Sequence, residues 1–123
     1  MSDELSKLPP QVQERLLRLQ QLQQTLQTVL AQKQQVEMEK TEVEQTVAEL
    51  QKTTEDDVIY KAAGSLLIKA EKAKITEELV ERKELLNTRS TVLARQEERL
   101  RSQVKEAQTK LQEDLSHVSS SSK

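Results

Sequence analysis

The chain has 123 residues, of which 34% are hydrophobic, 33% are charged and 1% are aromatic, and it contains no cysteine, phenylalanine or tryptophan. Such a composition can form apolar seams between helices but not the aromatic-rich core of a compact globule, and it excludes a disulfide framework and a thiolate metal site. The net charge of −2 comes from interspersed charges without a basic arm, so the sequence predicts no nucleic-acid binding. Because no apolar run has the length of a signal peptide or a membrane span, we expect no membrane association and a cytoplasmic location.

The first long segment is predicted to be a coiled-coil helix over about residues 10–52. Pro9 and Pro10 indicate a helix start, because proline is tolerated in the first turn, and no glycine or proline follows within the segment. The step from Leu19 to Leu22 adds three residues to the pattern and resembles a stammer. Otherwise the seam positions alternate at spacings of four and three, as in a coiled coil; they are Val12, Leu16, Leu19, Leu22, Leu26, Val29, Lys33, Val36, Lys40, Val43, Val47 and Leu50.

The second long segment, over about residues 72–116, has the same pattern. One seam position recurs every seven residues, at Leu79, Leu86, Leu93, Leu100 and Ala107, and the other holds Arg82, Arg89, Gln96 and Gln103. After Leu100 the pattern shifts to Val104, Leu111 and Leu115. Three acid-first ion pairs are predicted four residues apart: Glu78–Arg82, Glu97–Arg101 and Glu106–Lys110. The similar lengths of the two segments predict an antiparallel two-helix coiled coil, followed by a flexible tail over 117–123.

The stretch between the two segments is predicted to form a β-hairpin over residues 58–70. Residues 53–57 break the heptad pattern with poor helix formers. The only glycine of the chain, Gly64, then lies between two clusters of apolar or β-branched residues, which is a hairpin signal. A helix that continues through the stretch is the alternative.

This hairpin is predicted to mediate assembly. An isolated two-stranded hairpin is marginally stable in water, and its open edges invite another strand. One hairpin face cannot cover all its apolar side chains, which are Val58, Ile59, Tyr60, Leu66, Leu67 and Ile68. We therefore expect edge-to-edge strand pairing between subunits into a shared sheet or barrel.

A second candidate surface lies near the start of the first segment. Leu16, Leu17, Leu19 and Leu22 form an apolar arc wider than a two-helix seam requires. Leu16 and Leu19 are interpreted as seam residues that can also contact a ligand, and Leu17 is expected to be exposed. Exposed apolar patches commonly mark interaction sites, so the end of the helix pair that contains these leucines is a candidate binding site.

Nothing in the sequence predicts an enzyme, a cofactor or a metal site. The carboxylates lie among lysines and arginines on exposed helical faces, and the single histidine, His117, lies in the serine-rich tail. Residues 55–57 are acidic but lack the ligand spacing and the glycine of a calcium loop. A structural coiled-coil adaptor, in which the arms bind one defined partner around a central bend, is the alternative to an assembling hairpin.

Several segments carry a resemblance to a known family. They are Tyr60–Lys69, Thr76–Leu79, Gln96–Leu100, and the glutamine-rich stretches around Leu22 and Lys33. In order and spacing they resemble the beta class of the archaeal-type prefoldin family over roughly residues 9–115, with a single short central hairpin as in that class.

The resemblance implies a single prefoldin beta-type domain over 1–123 that serves as an ATP-independent holdase chaperone subunit. Two alpha and four beta subunits are expected to build a double β-barrel from their hairpins, with coiled-coil tentacles that hold non-native polypeptides at their tips and pass them to a group II chaperonin. The barrel residues would be Val58–Ala62 and Leu66–Ala70, with Gly64 at the turn. The tip would contain Val12, Leu16, Leu17, Leu19 and Leu22 from the first helix and Leu111, Leu115 and Val118 from the second.

Overall fold

Two long helices flank one antiparallel hairpin in the structure, a computed structural model that describes residues 7–121, with side chains described as far as Val118. Helix α1 spans Pro10–Gln51, strand β1 spans Ile59–Ala63, strand β2 spans Leu66–Ala70, and helix α2 spans Lys72–Ser121. The predicted fold class is confirmed, and the central stretch forms a hairpin rather than a continuous helix. The joining of hairpins from several subunits into a barrel stays a prediction.

Helix α1 begins where the proline pair predicts. The backbone N–H of Gln13 donates to the carbonyl of Pro9 at 3.1 Å, and the Gln13 side-chain amide donates to the carbonyl of Leu8 at 2.7 Å. At the other end, the hydroxyl of Thr53 donates to the carbonyl of Leu50 at 2.6 Å. A carbonyl in the last helical turn has no partner within the helix, so this hydroxyl helps to end α1.

The contacts of the chain fall into two compact units, one of which is Lys33–Val92. Within it the two helices run antiparallel. Glu37 accepts a hydrogen bond from the Ser90 hydroxyl at 3.1 Å, whereas the carbonyl of Thr53 accepts from the Lys72 ammonium at 2.8 Å, so residue numbers rise on one helix as they fall on the other. Leu86 is fully buried in this seam. Val36, Val43 and Leu50 are buried on the α1 side.

The other unit combines residues 7–32 with residues 93–121. The guanidinium of Arg15 forms an ion pair with the carboxylate of Asp114 and so joins α1 to α2. The buried residues of this unit all belong to α1 and follow its predicted seam; they are Val12, Leu19, Leu22, Leu26 and Val29. On the α2 side Leu93, Leu100 and Leu111 are half-buried, and Leu115 is exposed.

Two boundaries differ from the sequence prediction. Helix α2 ends at Ser121 rather than near Ser116, so residues 117–121 of the predicted tail are helical, and residues 122 and 123 lie outside the described part. No glycine or proline stops the helix here, and serine is only mildly unfavourable in a helix. Residues 1–6, which precede the proline pair, also lie outside the described residues. In the hairpin, Val58 precedes β1 and Ala63 belongs to it.

Candidate functional site

The hairpin closes through a two-residue turn at Gly64 and Ser65. Ala63 pairs with Leu66, so no residue is left over on either strand. Gly64 has a φ of 62°, and it is the only described residue with a positive φ. A positive φ at the first turn position and a negative one at the second is the type II′ pattern, which matches the twist of the strands. This turn fixes the register and makes Ala63 the last residue of β1.

Both faces of the hairpin expose apolar side chains. Alternate residues of a strand point to opposite faces, so the register places Ile59, Ala63, Leu66 and Ile68 on one face with Lys61. Leu67 lies on the other face and is 73% exposed, the highest value among the large apolar residues that the structure describes. Tyr60 shares that second face, and Val58 is exposed just before the strand.

Each strand of the hairpin has one open edge. In a hairpin with a two-residue turn, the pair next to the turn exchanges both hydrogen bonds, and bonded and non-bonded pairs alternate from there. The register therefore directs the backbone N–H and C=O groups of Tyr60 and Ala62 away from β2. Those of Leu67 and Lys69 point away from β1 in the same way. These groups are available to pair with another strand.

One polar contact joins the hairpin to α2. The ammonium of Lys61 donates to Oε2 of Glu78 at 2.8 Å, and Ile59 and Ala70 at the base of the hairpin are half-buried. Glu78 was expected to pair with Arg82 one turn further along α2, and that prediction is wrong. Arg82 instead lies 3.7 Å from Oε1 of Glu39 on α1. Glu78 and Arg82 pair with β1 and α1 and not with each other, because both of those elements approach this side of α2.

The acidic link between α1 and the hairpin is a turn. The carboxylate of Asp57 accepts hydrogen bonds from the backbone N–H of Thr54 at 2.7 Å and from its hydroxyl at 3.3 Å. The N–H of Asp57 in turn donates to the carbonyl of Thr54 at 3.1 Å. This carboxylate therefore organises the chain between α1 and β1. Within residues 7–121 there is no group of three His, Cys, Asp or Glu residues arranged to hold a metal ion.

The predicted tip residues all lie in the unit formed by residues 7–32 and 93–121, and they differ in exposure. Leu17 and Leu115 are open to solvent, with 56% and 42% of their surfaces exposed. Three of the predicted residues are buried in the seam, namely Val12, Leu19 and Leu22, and three are half-buried, namely Leu16, Leu111 and Val118. Leu17 and Leu115 are thus the members of the set that a ligand can reach while the helices stay packed.

The sequence analysis did not identify a groove that opens beside the seam in the same unit. Its volume is about 390 Å³, and the seam residues Leu22 and Ala107 line it together with Arg18 and Gln103. Leu22 is buried, Ala107 and Gln103 are half-buried, and Arg18 is exposed, so the groove has an apolar floor and a polar rim. Two sequence signals could have located it. One is the three-residue step from Leu19 to Leu22, and the other is Ala107, which stands at a heptad position that otherwise holds leucine.

None of the helices in the described part of the chain has the length and apolarity that a membrane span requires. The other two predicted local ion pairs are present on α2. Arg101 lies 2.8 Å from Glu97, and Lys110 lies 3.1 Å from Glu106. These pairs stand on exposed helix surface, where each contributes a few tenths of a kcal/mol, roughly 0.3–0.5, to helix stability.

Comparisons with known proteins agree with one another. A family model described as "Prefoldin subunit" matches residues 13–117, which include the hairpin and most of both helices. The chain is 44% identical over 112 residues to the prefoldin subunit beta of Methanothrix thermoacetophila, an alignment that covers 91% of this chain and 93% of that protein. It is 46% identical to the prefoldin subunit beta of Archaeoglobus fulgidus, with coverage of 91% and 97%. The crystal structure of the prefoldin beta subunit from Thermococcus strain KS-1 is similar, with a TM-score of 0.78, 40% identity, and coverage of 87% of this chain and 94% of that one.

Proposed function

Because this chain belongs to the prefoldin subunit family, a family of chaperone subunits, we propose that it is a beta-type subunit of an ATP-independent holdase. In this proposal the subunit assembles in the cytoplasm with alpha-class prefoldin subunits, two alpha with four beta, through a shared β-barrel. The assembly binds non-native polypeptides at the tips of its coiled coils and passes them to a group II chaperonin.

The exposed hairpin is the observation on which this proposal stands. It has two open edges, and it leaves Leu66, Leu67 and Ile68 each more than half exposed in the single chain. Fully burying one such side chain contributes about 1.5–3 kcal/mol, so a neighbouring subunit that covers several of them offsets a large cost of association. Pairing of the open edges would at the same time satisfy the outward backbone groups.

The distribution of apolar surface also supports the proposed binding of non-native polypeptides. Leu17 and Leu115 are exposed in the unit that contains both ends of the described chain. Unfolded polypeptides expose apolar side chains, and a chaperone that uses no ATP can hold them by covering those side chains reversibly. A structural adaptor with a simple central bend would need no strands at residues 58–70, so the hairpin favours the chaperone.

Two measurements on the same preparation test the proposal. The first is the solution mass of the chain alone and mixed with an alpha-class prefoldin subunit, by light scattering; we expect a discrete hexamer in the mixture. The second is the aggregation of an unrelated unfolded protein with and without the hexamer, in the absence of ATP; we expect suppression. A mass that the partner leaves unchanged, or aggregation that proceeds unhindered, contradicts the proposal. Transfer to a group II chaperonin is then tested by refolding of the held protein on addition of the chaperonin.

A further inference from the structure

The two strands of the hairpin differ in the apolar surface that they expose. Strand β2 has three consecutive large apolar residues, Leu66, Leu67 and Ile68, with exposed fractions of 65%, 73% and 51%. Because consecutive residues point to opposite faces, β2 is apolar on both faces, which is typical of a strand that is covered on both sides. Strand β1 instead has Lys61 at its centre, followed by two alanines. A further strand therefore buries more apolar surface at the β2 edge than at the β1 edge.

The open edge of β2 is complementary to itself. Its outward backbone groups belong to Leu67 and Lys69, and such outward groups form the hydrogen-bonded pairs when another antiparallel strand is added. Two copies of β2 can therefore pair about a two-fold axis normal to the sheet, with Leu67 of one copy opposite Lys69 of the other. This register uses all five residues of the strand, Leu66–Ala70, and it places Ile68 opposite Ile68 of the second copy.

The join formed by this register would be apolar at its centre. Leu66, Ile68 and Ala70 share one face of the hairpin, so on that face the two copies would form a continuous apolar surface. The two Ile68 residues form a non-hydrogen-bonded pair, in which the Cα atoms are only about 4.5 Å apart and the side chains cover each other. On the other face, the aliphatic stem of the exposed Lys69 would lie along Leu67 of the second copy, with its ammonium in water.

The β1 edge does not accept a second copy in the same way. Its outward groups belong to Tyr60 and Ala62, so the register that uses all five residues of β1 places Lys61 opposite Lys61 of the second copy. Like charges directly opposite each other destabilise an antiparallel pair. The ammonium of Lys61 also lies 2.8 Å from Oε2 of Glu78, so it cannot turn away from the join without losing that contact.

We propose that two copies of this chain join by antiparallel pairing of their β2 strands about a two-fold axis at Ile68, an inference that rests on the assembly proposed above. Lys61 is the residue that prevents the equivalent pairing at β1. The β1 edge of each copy is thereby left for an alpha-class subunit. The alternative is a head-to-tail pairing of β2 with β1 of the next copy, which places Ile68 opposite Lys61 and closes only as a ring.

Single cysteines test the register, because the chain contains no cysteine of its own. A Cα–Cα distance of about 4.5 Å lies within the range that a disulfide spans. Ile68→Cys is assembled with the alpha-class subunit, and its hexamer is verified by light scattering under reducing conditions. After mild oxidation, we expect the main product on a non-reducing gel to have twice the mass of this chain. Leu66→Cys, on the same strand and face, is the matched control and should form no link to its own kind.

A second link covers the case in which a cysteine at position 68 prevents assembly. Chains with Leu66→Cys are mixed with chains with Ala70→Cys, since the same register places these two positions opposite each other in different copies. We expect the mixed disulfide. An Ile68→Cys hexamer that forms no link, or a Leu66→Cys chain that links to itself as readily, overturns the register while the chaperone function stands. A link between Ile68→Cys of one chain and Lys61→Cys of another shows the head-to-tail pairing and also overturns it.

The role of Lys61 has a separate readout. Lys61→Thr removes the charge from the β1 edge, so we expect the chain alone to assemble beyond a dimer, measured by light scattering. Lys69→Thr changes the other lysine of the hairpin and should leave the mass unchanged. Equal masses for the two variants overturn the role of Lys61. If the unmodified chain neither joins the alpha-class subunit nor suppresses aggregation, the proposed function is overturned, and the disulfide links still decide how two copies pair.

Discussion

The ammonium of Lys61 on strand β1 lies 2.8 Å from the carboxylate of Glu78 on helix α2. Both side chains are about half exposed, at 52% and 43%, so the pair contributes little to stability, roughly 0–1 kcal/mol. The contact joins to α2 the face of the hairpin that contains Lys61 and Ile68. The opposite face, with Tyr60 and Leu67, points away from that contact.

The exposure of Ile68 predicts that a charge at this position prevents assembly without unfolding the chain. Ile68 is 51% exposed in the single subunit, so Ile68→Asp costs the isolated fold little. In the assembly the carboxylate would lose its hydration beside Lys61, which is already paired with Glu78, so its burial would be poorly compensated. We expect loss of the hexamer by light scattering and an unchanged helical signal by circular dichroism.

Met38→Asp is the matched control for Ile68→Asp. Met38 is 55% exposed on α1, outside the hairpin, and the same kind of substitution there should leave the hexamer intact. An intact hexamer for Ile68→Asp would contradict assembly through the hairpin. Dissociation by both variants would point instead to a general effect of added negative charge.

The turn geometry predicts a cost for any side chain at residue 64. The backbone of Gly64 has a φ of 62°, and an added Cβ would meet no neighbouring atom within 4 Å. The penalty for Gly64→Ala is therefore conformational, about 1–2 kcal/mol, rather than steric crowding by other residues. We expect the hexamer to dissociate at a higher protein concentration, measured by mass photometry over a dilution series. Ser65→Ala, at a position with negative φ, should dissociate as the unmodified protein does.

Exposure also separates two kinds of leucine in the unit formed by residues 7–32 and 93–121. Leu17 and Leu115 are exposed, so the double substitution Leu17→Ser with Leu115→Ser should reduce the ability of the hexamer to suppress aggregation of an unfolded protein. The melting temperature should stay within a few degrees, because substitutions at exposed positions change stability by about 0.5 kcal/mol or less. Leu22→Ser, which removes a buried side chain, should mainly lower the melting temperature. Aggregation assays and thermal melts on the same samples distinguish the two. Full suppression by the double variant would count against a tip site.

Two neighbouring leucines of α2 provide a direct test of the helix–helix seam. Leu86 is fully buried, and Leu85 is 47% exposed. Leu86→Ala should lower the free energy of unfolding by about 2–5 kcal/mol, the usual cost of truncating a buried leucine. Leu85→Ala should change it by no more than about 0.5 kcal/mol. Urea denaturation followed by circular dichroism measures both, and equal effects would show that the seam is packed differently.

Much of the fold was predictable from local signals. The four-and-three spacing placed Val36, Val43 and Leu50 on one stripe of α1, and the structure buries all three. The two prolines predicted the start of α1, and Gly64 predicted the turn. Each of these is a property of a few consecutive residues, such as a periodicity, a fixed φ or a permitted positive φ, and such properties do not depend on the rest of the molecule.

Other features depend on which residues meet across the two helices, and only the tertiary structure decided them. The choice of Lys61 rather than Arg82 as the partner of Glu78 follows from the approach of β1 to α2. Burial likewise divides Leu115 from Leu111, although both continue the predicted pattern of α2. The sequence by itself determined the stripes, because helical periodicity is local. The structure determined which parts of each stripe are covered, paired or open, because that depends on the side chain opposite.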